Sequence, residues 1–309
     1  MNQQFSYSDI IKTISEQVSL RKGALFKRSL AVSMPLIIAF TLLTNESNLL
    51  PHGSSDFIVQ LYYIAVAILF VIGLLWAFVA SRIFRIERAI WIDSYFDGVD
   101  LTTKQSWKIS RKLFWPNVLL SLNVFLRYYL PLLILWIAII IGLGGLISNG
   151  IIEFNLGWYV GIIVGIPISF LLYSFYVKIR LRYLVFTFLD LYGLPEFSYS
   201  TVFKKAVAVN KATKGDAFQK TLVVMLGSEA LEYLTTSFVN SSVRWSTSRM
   251  GNTGKAVGDV AGFATSEVVA ALRSYTQDIT YYIYYQAGLS VLYGVDQRVV
   301  NQEVYRLGQ

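Results

Sequence analysis

Cysteine is absent from the 309 residues, and histidine occurs once, at His52. The first absence excludes disulfides, thiolate metal sites and cysteine nucleophiles. The second excludes multi-histidine metal sites and two-histidine acid–base chemistry. Charge is scarce too, at 15% of residues, against about 25% in an ordinary soluble domain. With 55% hydrophobic residues and a mean hydropathy of +0.52, the composition points to lipid as solvent. No catalytic constellation stands out and no cofactor or metal is implied, so the expectation is a protein that is not an enzyme.

What the chain does have is long apolar runs separated by basic blocks. The formal net charge is +8, with Lys and Arg grouped between the runs as in cytoplasmic loops. No nucleic-acid motif accompanies them, so nucleic acid is not an expected partner. The pattern predicts an all-α polytopic membrane protein with about six transmembrane helices, near 29–45, 57–80, 115–147, 157–177, 217–239 and 258–290. Connections 45–56 and 148–156 carry no Lys or Arg and read as external loops. So does 240–257, despite three basic residues. Six spans place both termini in the cytoplasm, with 296–309 a short polar tail of a single membrane domain. The first apolar run begins near Ser29 with no small-x-small site after it, so no cleavable signal is expected.

Three amphipathic stretches precede alternate spans. In 8–22, Ile10, Ile11, Ile14 and Val18 share a face; in 197–214, Val202, Phe203, Ala206 and Val207 do; 89–114 is the third. Each reads as a helix on the bilayer surface. Lys12, then Lys104, Lys108, Arg111 and Lys112, then Lys204, Lys205, Lys211 and Lys214 would meet anionic headgroups. Ser8, Asp100 or Thr102, and Ser200 or Thr201 are candidate caps. Gly23 and Gly215 are expected to break the surface helices from their spans, and Pro131 with Gly142, Gly144 and Gly145 to kink or break the third span. Trp91, Trp107 and the cluster Tyr281, Tyr282, Tyr284 and Tyr285 read as interfacial aromatics. Gly157, Gly161 and Gly165 form a small-residue row, read as tight packing within the chain ahead of a dimerisation face.

A shift of 192 residues aligns 5–32 with 197–224, matching Phe5-Ser-Tyr-Ser8 to Phe197-Ser-Tyr-Ser200, and Lys12, Lys22 and Gly23 to Lys204, Lys214 and Gly215. Half that shift sets Thr102 and Lys108 against Ser6 and Lys12. The reading is three parallel units, 1–88, 89–192 and 193–295, each a surface helix followed by a transmembrane hairpin.

Three stretches carry a likeness to a known group: DGVDLTTKQSWKISRKLFWPNVLLSL; RLRYLVFTFLDLYG with FKKAVAVNKATKGDAF; and ITYYIYYQ. Their layout resembles the membrane domain associated with glycerophosphodiester phosphodiesterases and related small six-span bacterial inner-membrane proteins. The resemblance implies a membrane module in a bacterial cytoplasmic membrane. The phosphodiesterase barrel of some members is absent, and its paired histidines cannot be supplied by one histidine.

Charges inside the runs are the sharpest feature, since each costs about 2.5–3.5 kcal/mol at a helix centre on insertion scales. Arg127 lies twelve residues beyond Trp115 and Glu229 twelve beyond Ala217, which sets both roughly 18 Å into their spans. Glu232, Arg273, Gln277 and Asp278 join them in an expected midplane polar cluster, with Glu267 nearby. One reading is structural ion pairing between spans, giving a non-enzymatic scaffold or accessory in envelope or lipid-related machinery, with a membrane-protein partner or a second copy. The other is a small transporter or lipid-handling protein holding an anionic or zwitterionic solute or lipid headgroup in that cluster.

Overall fold

The structure, a computed structural model, describes residues 6–44, 55–150, 156–213, 216–247, 251–293 and 301–308. Lys214, Gly215, His52 and most of the 45–56 and 148–156 connections lie outside them. Regular structure among the described residues is helical: α1 Tyr7–Thr44, α2 Asp56–Phe96, α3 Thr103–Lys112, α4 Phe114–Val124, a π turn Phe125–Tyr129, α5 Leu130–Ser148, α6 Leu156–Arg180, α7 Leu184–Leu191, α8 Tyr199–Ala212, α9 Asp216–Thr247, α10 Gly251–Tyr293 and α11 Gln302–Arg306.

Helix length explains the architecture. α2 has 41 residues, about 62 Å at 1.5 Å per residue, twice the roughly 30 Å of bilayer hydrocarbon. Its two halves differ accordingly. Phe57, Leu61, Ile64, Ile68 and Leu75 are exposed apolar side chains, whereas Ile86 to Ser94 are buried without a break. A helix buried on every side is the centre of a core. Around it pack Ile10 and Leu25 of α1, Ile109 of α3, Phe188 of α7, Val202 and Phe203 of α8, Ile279 and Tyr282 of α10, and Val304 of α11. The protein thus has a protein-packed helical body and an apolar belt of exposed side chains.

Four helical stretches are long and apolar enough to cross a membrane: Tyr7–Leu43, Asp56–Phe96, Phe114–Ser148 and Gln219–Thr247. A fifth is added if Val164–Arg180 and Leu184–Leu191, bent by 41°, form one span. α10, the expected sixth span, falls below that apolarity because its second half lies in the body.

The surface-helix expectation is corrected here. α1 runs through Gly23 without a break, because a helix interior tolerates one glycine at about 1 kcal/mol. The apolar faces of α3 and α8 meet the core rather than lipid: Ile109, Val202, Ala206 and Val209 are fully buried. Trp91 is fully buried and donates to Ser106 Oγ at 2.8 Å, and Trp107 lies beneath the Arg28 guanidinium at 3.9 Å. Tyr282, Tyr284 and Tyr285 form core rather than belt, with Tyr285 hydrogen-bonded to Asp190. The caps are Ser6, Thr102 and Ser198, spaced by 96 residues. Ser6 and Asp9 bond reciprocally, Thr102 and Gln105 form a capping box, and Ser198 Oγ accepts from Thr201 N at 3.1 Å.

Breaks and close approaches have local causes. Pro35 has no N–H for the carbonyl of Ala31, and Trp76 Nε1 donates to that carbonyl at 2.8 Å, tying α2 to α1. Gly98, at φ +68°, ends α2, with Val99 N donating to Ser94 O at 2.8 Å. The third span is a continuous helical stretch whose wide π turn precedes Pro131, in place of a break. At Gly288 an added Cβ would lie 2.6 Å from Thr213 Cγ2 and 3.1 Å from the Val209 carbonyl. Gly288→Val should therefore lower stability by about 1–3 kcal/mol, measured as resistance to proteolysis; unchanged resistance would show that α8 and α10 can separate freely.

Candidate functional site

The charges expected in one midplane cluster divide between two places. Arg273 Nη1 meets Glu232 Oε2 at 2.7 Å, and Gln277 Nε2 donates to Ser228 Oγ at 3.2 Å, both across the α9–α10 contact. Glu267 sits within electrostatic reach of Glu232. Asp278 turns instead to α2 and pairs with Arg88 at 3.2 Å. Glu229 lies near Tyr281, with no ion pair to Arg127.

Arg127 belongs to neither group. It is exposed, with its guanidinium 4.8 Å from the Phe203 ring of α8. Counting depth from Trp115 misplaced it because α4 belongs to the body: Asn117 and Leu120 are buried, and Tyr199 Oη donates to Pro116 O at 3.3 Å. Arg82, the first charge after the apolar run of α2, donates to Ser121 Oγ at 2.6 Å and fixes that level. Arg127 is six residues further, about 9 Å along the helix. The same register applies to α10. Tyr275 packs on Trp91 and Tyr282 on Phe96, so Asp278 lies inside the body beside Arg88. Arg273, five residues earlier, sits about 7.5 Å nearer the belt, close to the level of Arg82. By this register Arg273 sits near the end of the α2 apolar run, while on α9 exposed apolar side chains continue on both sides of its partner Glu232, from Val223 and Leu226 to Leu234 and Phe238.

Among the buried charges that escaped sequence reasoning are Glu87 and Asp190. Glu87, fully buried, meets Arg28 Nε at 3.1 Å and accepts from Ser106 Oγ at 3.1 Å. Asp190 accepts from Lys205 at 3.4 Å and from Tyr285. Both occur in basic, apolar-flanked stretches that read as span exits, and only their three-dimensional neighbours mark them as core charges.

The basic residues divide by helix. Lys104, Lys108, Arg111 and Lys112 stand on the outer face of α3 around Trp107, lining one open depression. Lys12, Lys204 and Lys211 are exposed singly, and Lys205 is committed to Asp190. Gly161 and Gly165 meet nothing within 4 Å, so at these two positions the small-residue row is not the site of tight packing within the chain that spacing suggested; the surroundings of Gly157 lie outside the described residues.

These features define a class, a helical protein with apolar membrane-length helices and a compact helical body. No family model, curated protein or solved structure matches the chain.

Proposed function

We propose that the protein is a six-crossing membrane scaffold, with the body on the cytoplasmic side of a bacterial inner membrane and both termini there. The observation that carries this reading is the use made of the charges. Arg28–Glu87 ties α1 to α2, Arg88–Asp278 ties α2 to α10, Lys205–Asp190 ties α8 to α7, and Arg273–Glu232 ties α10 to α9. Each pair is spent between two helices, and buried pairs of this kind specify which helices meet.

The sixth crossing in this reading is supported by the packing of α10. It pairs with α9 at close range: a Cβ at Gly262 would lie 2.5 Å from Asn240 Oδ1, and one at Gly258 2.5 Å from Thr247 Oγ1. Its other end packs in the body beside α1 and α2. If α9 crosses, α10 must return with it. Caps at 96-residue spacing support three hairpin units, and the layout likeness to the phosphodiesterase-associated membrane domain supports an accessory role in lipid-related machinery. The four cations of α3 suit an anionic headgroup surface.

A second reading, transport or lipid handling, is favoured by one observation. Glu229, Glu232 and Glu267 gather along the α9–α10 contact, and of these Glu232 is the one paired with Arg273. The absence of cysteine makes the test direct. Ser274→Cys and Thr235→Cys, in right-side-out and inverted sealed vesicles, would be treated with an impermeant thiol reagent. The scaffold predicts no reaction from the side opposite the body, with Lys104→Cys labelled in the inverted vesicles as control. Reaction from the opposite side would reveal an aqueous path and put transport first.

A further inference from the structure

The α5–α6 hairpin is sparsely packed against the rest of the protein. No residue from Leu130 to Ser148 is buried, and among the described side chains of α6 only Val177, near its body end, is buried in the core. Gly142, Gly144, Gly161 and Gly165 all border open space. At the body end the π turn that leads into α5 touches α6 through aromatic rings, where Tyr129 meets Tyr173 edge to face at 6.1 Å. Beyond that contact both helices present exposed apolar side chains, Ile134 and Ile141 on α5 and Val164 and Leu171 on α6.

The body end of the hairpin is cationic. Arg180, at the end of α6, lies 5.9 Å from the Tyr128 ring and is hydrogen-bonded to Tyr176. Arg127 lies over Phe203, whose ring is 6.5 Å from that of Tyr128. Two guanidiniums therefore converge on one ring pair, and neither has an acidic partner among the described residues. The π turn is what brings Arg127 there, exposed, at the edge of the belt.

The geometry points to a lateral site for an anionic phospholipid between α5 and α6, its phosphate on Arg127 and Arg180 and its acyl chains along the two helices. Guanidiniums held by rings keep their planar donor forks free for phosphate oxygens. α5 has 19 residues, about 28 Å, which exceeds the roughly 15 Å of one hydrocarbon leaflet. A second copy of the chain covering the same end would set two arginines against two arginines, a like-charge contact that costs affinity. The site depends on the membrane placement of these helices and not on the scaffold reading.

The test uses the full chain, reconstituted with equimolar phosphatidylglycerol and phosphatidylcholine, with bound lipid counted by native mass spectrometry. Wild type is expected to retain phosphatidylglycerol. R127Q/R180Q should lower that retention about thirtyfold, at about fivefold per arginine, and R127K/R180K should fall between. If the double variant does not accumulate, R127Q alone carries the test at about fivefold. Equal retention by wild type and variant would overturn the site. So would competition by soluble glycerol phosphate at the strength of the lipid, which would mean a free-phosphate site. Disulfide cross-linking of two chains through Gly161→Cys would instead identify a second copy as the occupant.

Discussion

Removing residues 301–309 should cost the body most of its stability, although the segment reads in sequence as a short polar tail. Asn301 Nδ2 donates to the carbonyls of Leu189, Asp190 and Tyr192 at 2.8, 3.1 and 3.0 Å, covering the end of α7. Val304 and Tyr305 are buried, and Tyr305 Oη lies 3.0 Å from Asp93 Oδ2 and 2.9 Å from Asp97 Oδ2. Gly193, at φ +81°, lets Glu303 pass: a Cβ there would lie 3.2 Å from Glu303 Cβ. Stranding buried carbonyls costs about 1–3 kcal/mol, and each buried side chain contributes about 1.5–3 kcal/mol. The sum is comparable to the 5–15 kcal/mol by which a typical domain is stable. Limited proteolysis should therefore cut the truncated protein within α7 and α8 under conditions that leave the full chain intact. Asn301→Ala should show about 1–3 kcal/mol of the same effect.

Tyr305 adds a pH signature. Burial, followed by the carboxylates of Asp93 and Asp97, pushes its phenol far above the ordinary tyrosine value. The folded protein then holds a proton that the unfolded chain releases near pH 10. Because the native state binds more protons there, stability falls as pH rises above about 10 and is unaffected below it. Wild type should lose stability more steeply than Tyr305→Phe across that range. Parallel losses, or a truncated chain as protease-resistant as the full one, would mean that the segment merely rests on the surface.

The same segment shows what a single sequence conceals. Apolar runs and basic blocks made the helical membrane class legible, because lipid demands long stretches of one chemistry. Caps were legible too, though displaced or left open: Ser6 and Ser198 lie two residues before Ser8 and Ser200, and Thr102 is one of the two residues, with Asp100, that the pattern offered. Amphipathicity, however, says that a face is covered and not by what. Val202, Phe203, Ala206 and Val209 have the spacing of a lipid-facing stripe and face α7 and α10 instead. Tyr282 and Tyr285 look like an interfacial belt by composition, yet each finds a polar or ring partner inside the body.

Depth failed for a related reason. A run of apolar residues does not announce where hydrocarbon ends and protein core begins, since both solvents select the same side chains. The stretch 114–148 is about 52 Å long as a helix, so some 20 Å of it must lie outside hydrocarbon. Counting from its first residue moved Arg127 toward the bilayer centre. Registers that correct the count, Arg82 with Ser121 and Arg88 with Asp278, join residues 39 and 190 positions apart and have no local signature.

Arg88→Met should leave Asp278 charged and uncompensated inside the body, and abundance in membranes should collapse. The side chains are 11% and 23% exposed, and Arg88 also reaches the Ala271 carbonyl at 3.5 Å and the Phe84 ring at 5.2 Å. Breaking one half of such a pair costs about 3–5 kcal/mol, whereas replacing both halves with apolar residues of similar size is often neutral. Asp278→Leu alone should fail in the same way, and the Arg88→Met/Asp278→Leu double variant should recover abundance and protease resistance. Recovery of the fold then separates the two functional readings. A scaffold needs only the α2–α10 contact, so the double variant should also retain whatever partner co-purifies with wild type. A transporter that uses the pair would regain its fold and remain inactive. Robust accumulation of Arg88→Met by itself would mean that water reaches Asp278, which would remove the pair from the framework that holds the body together.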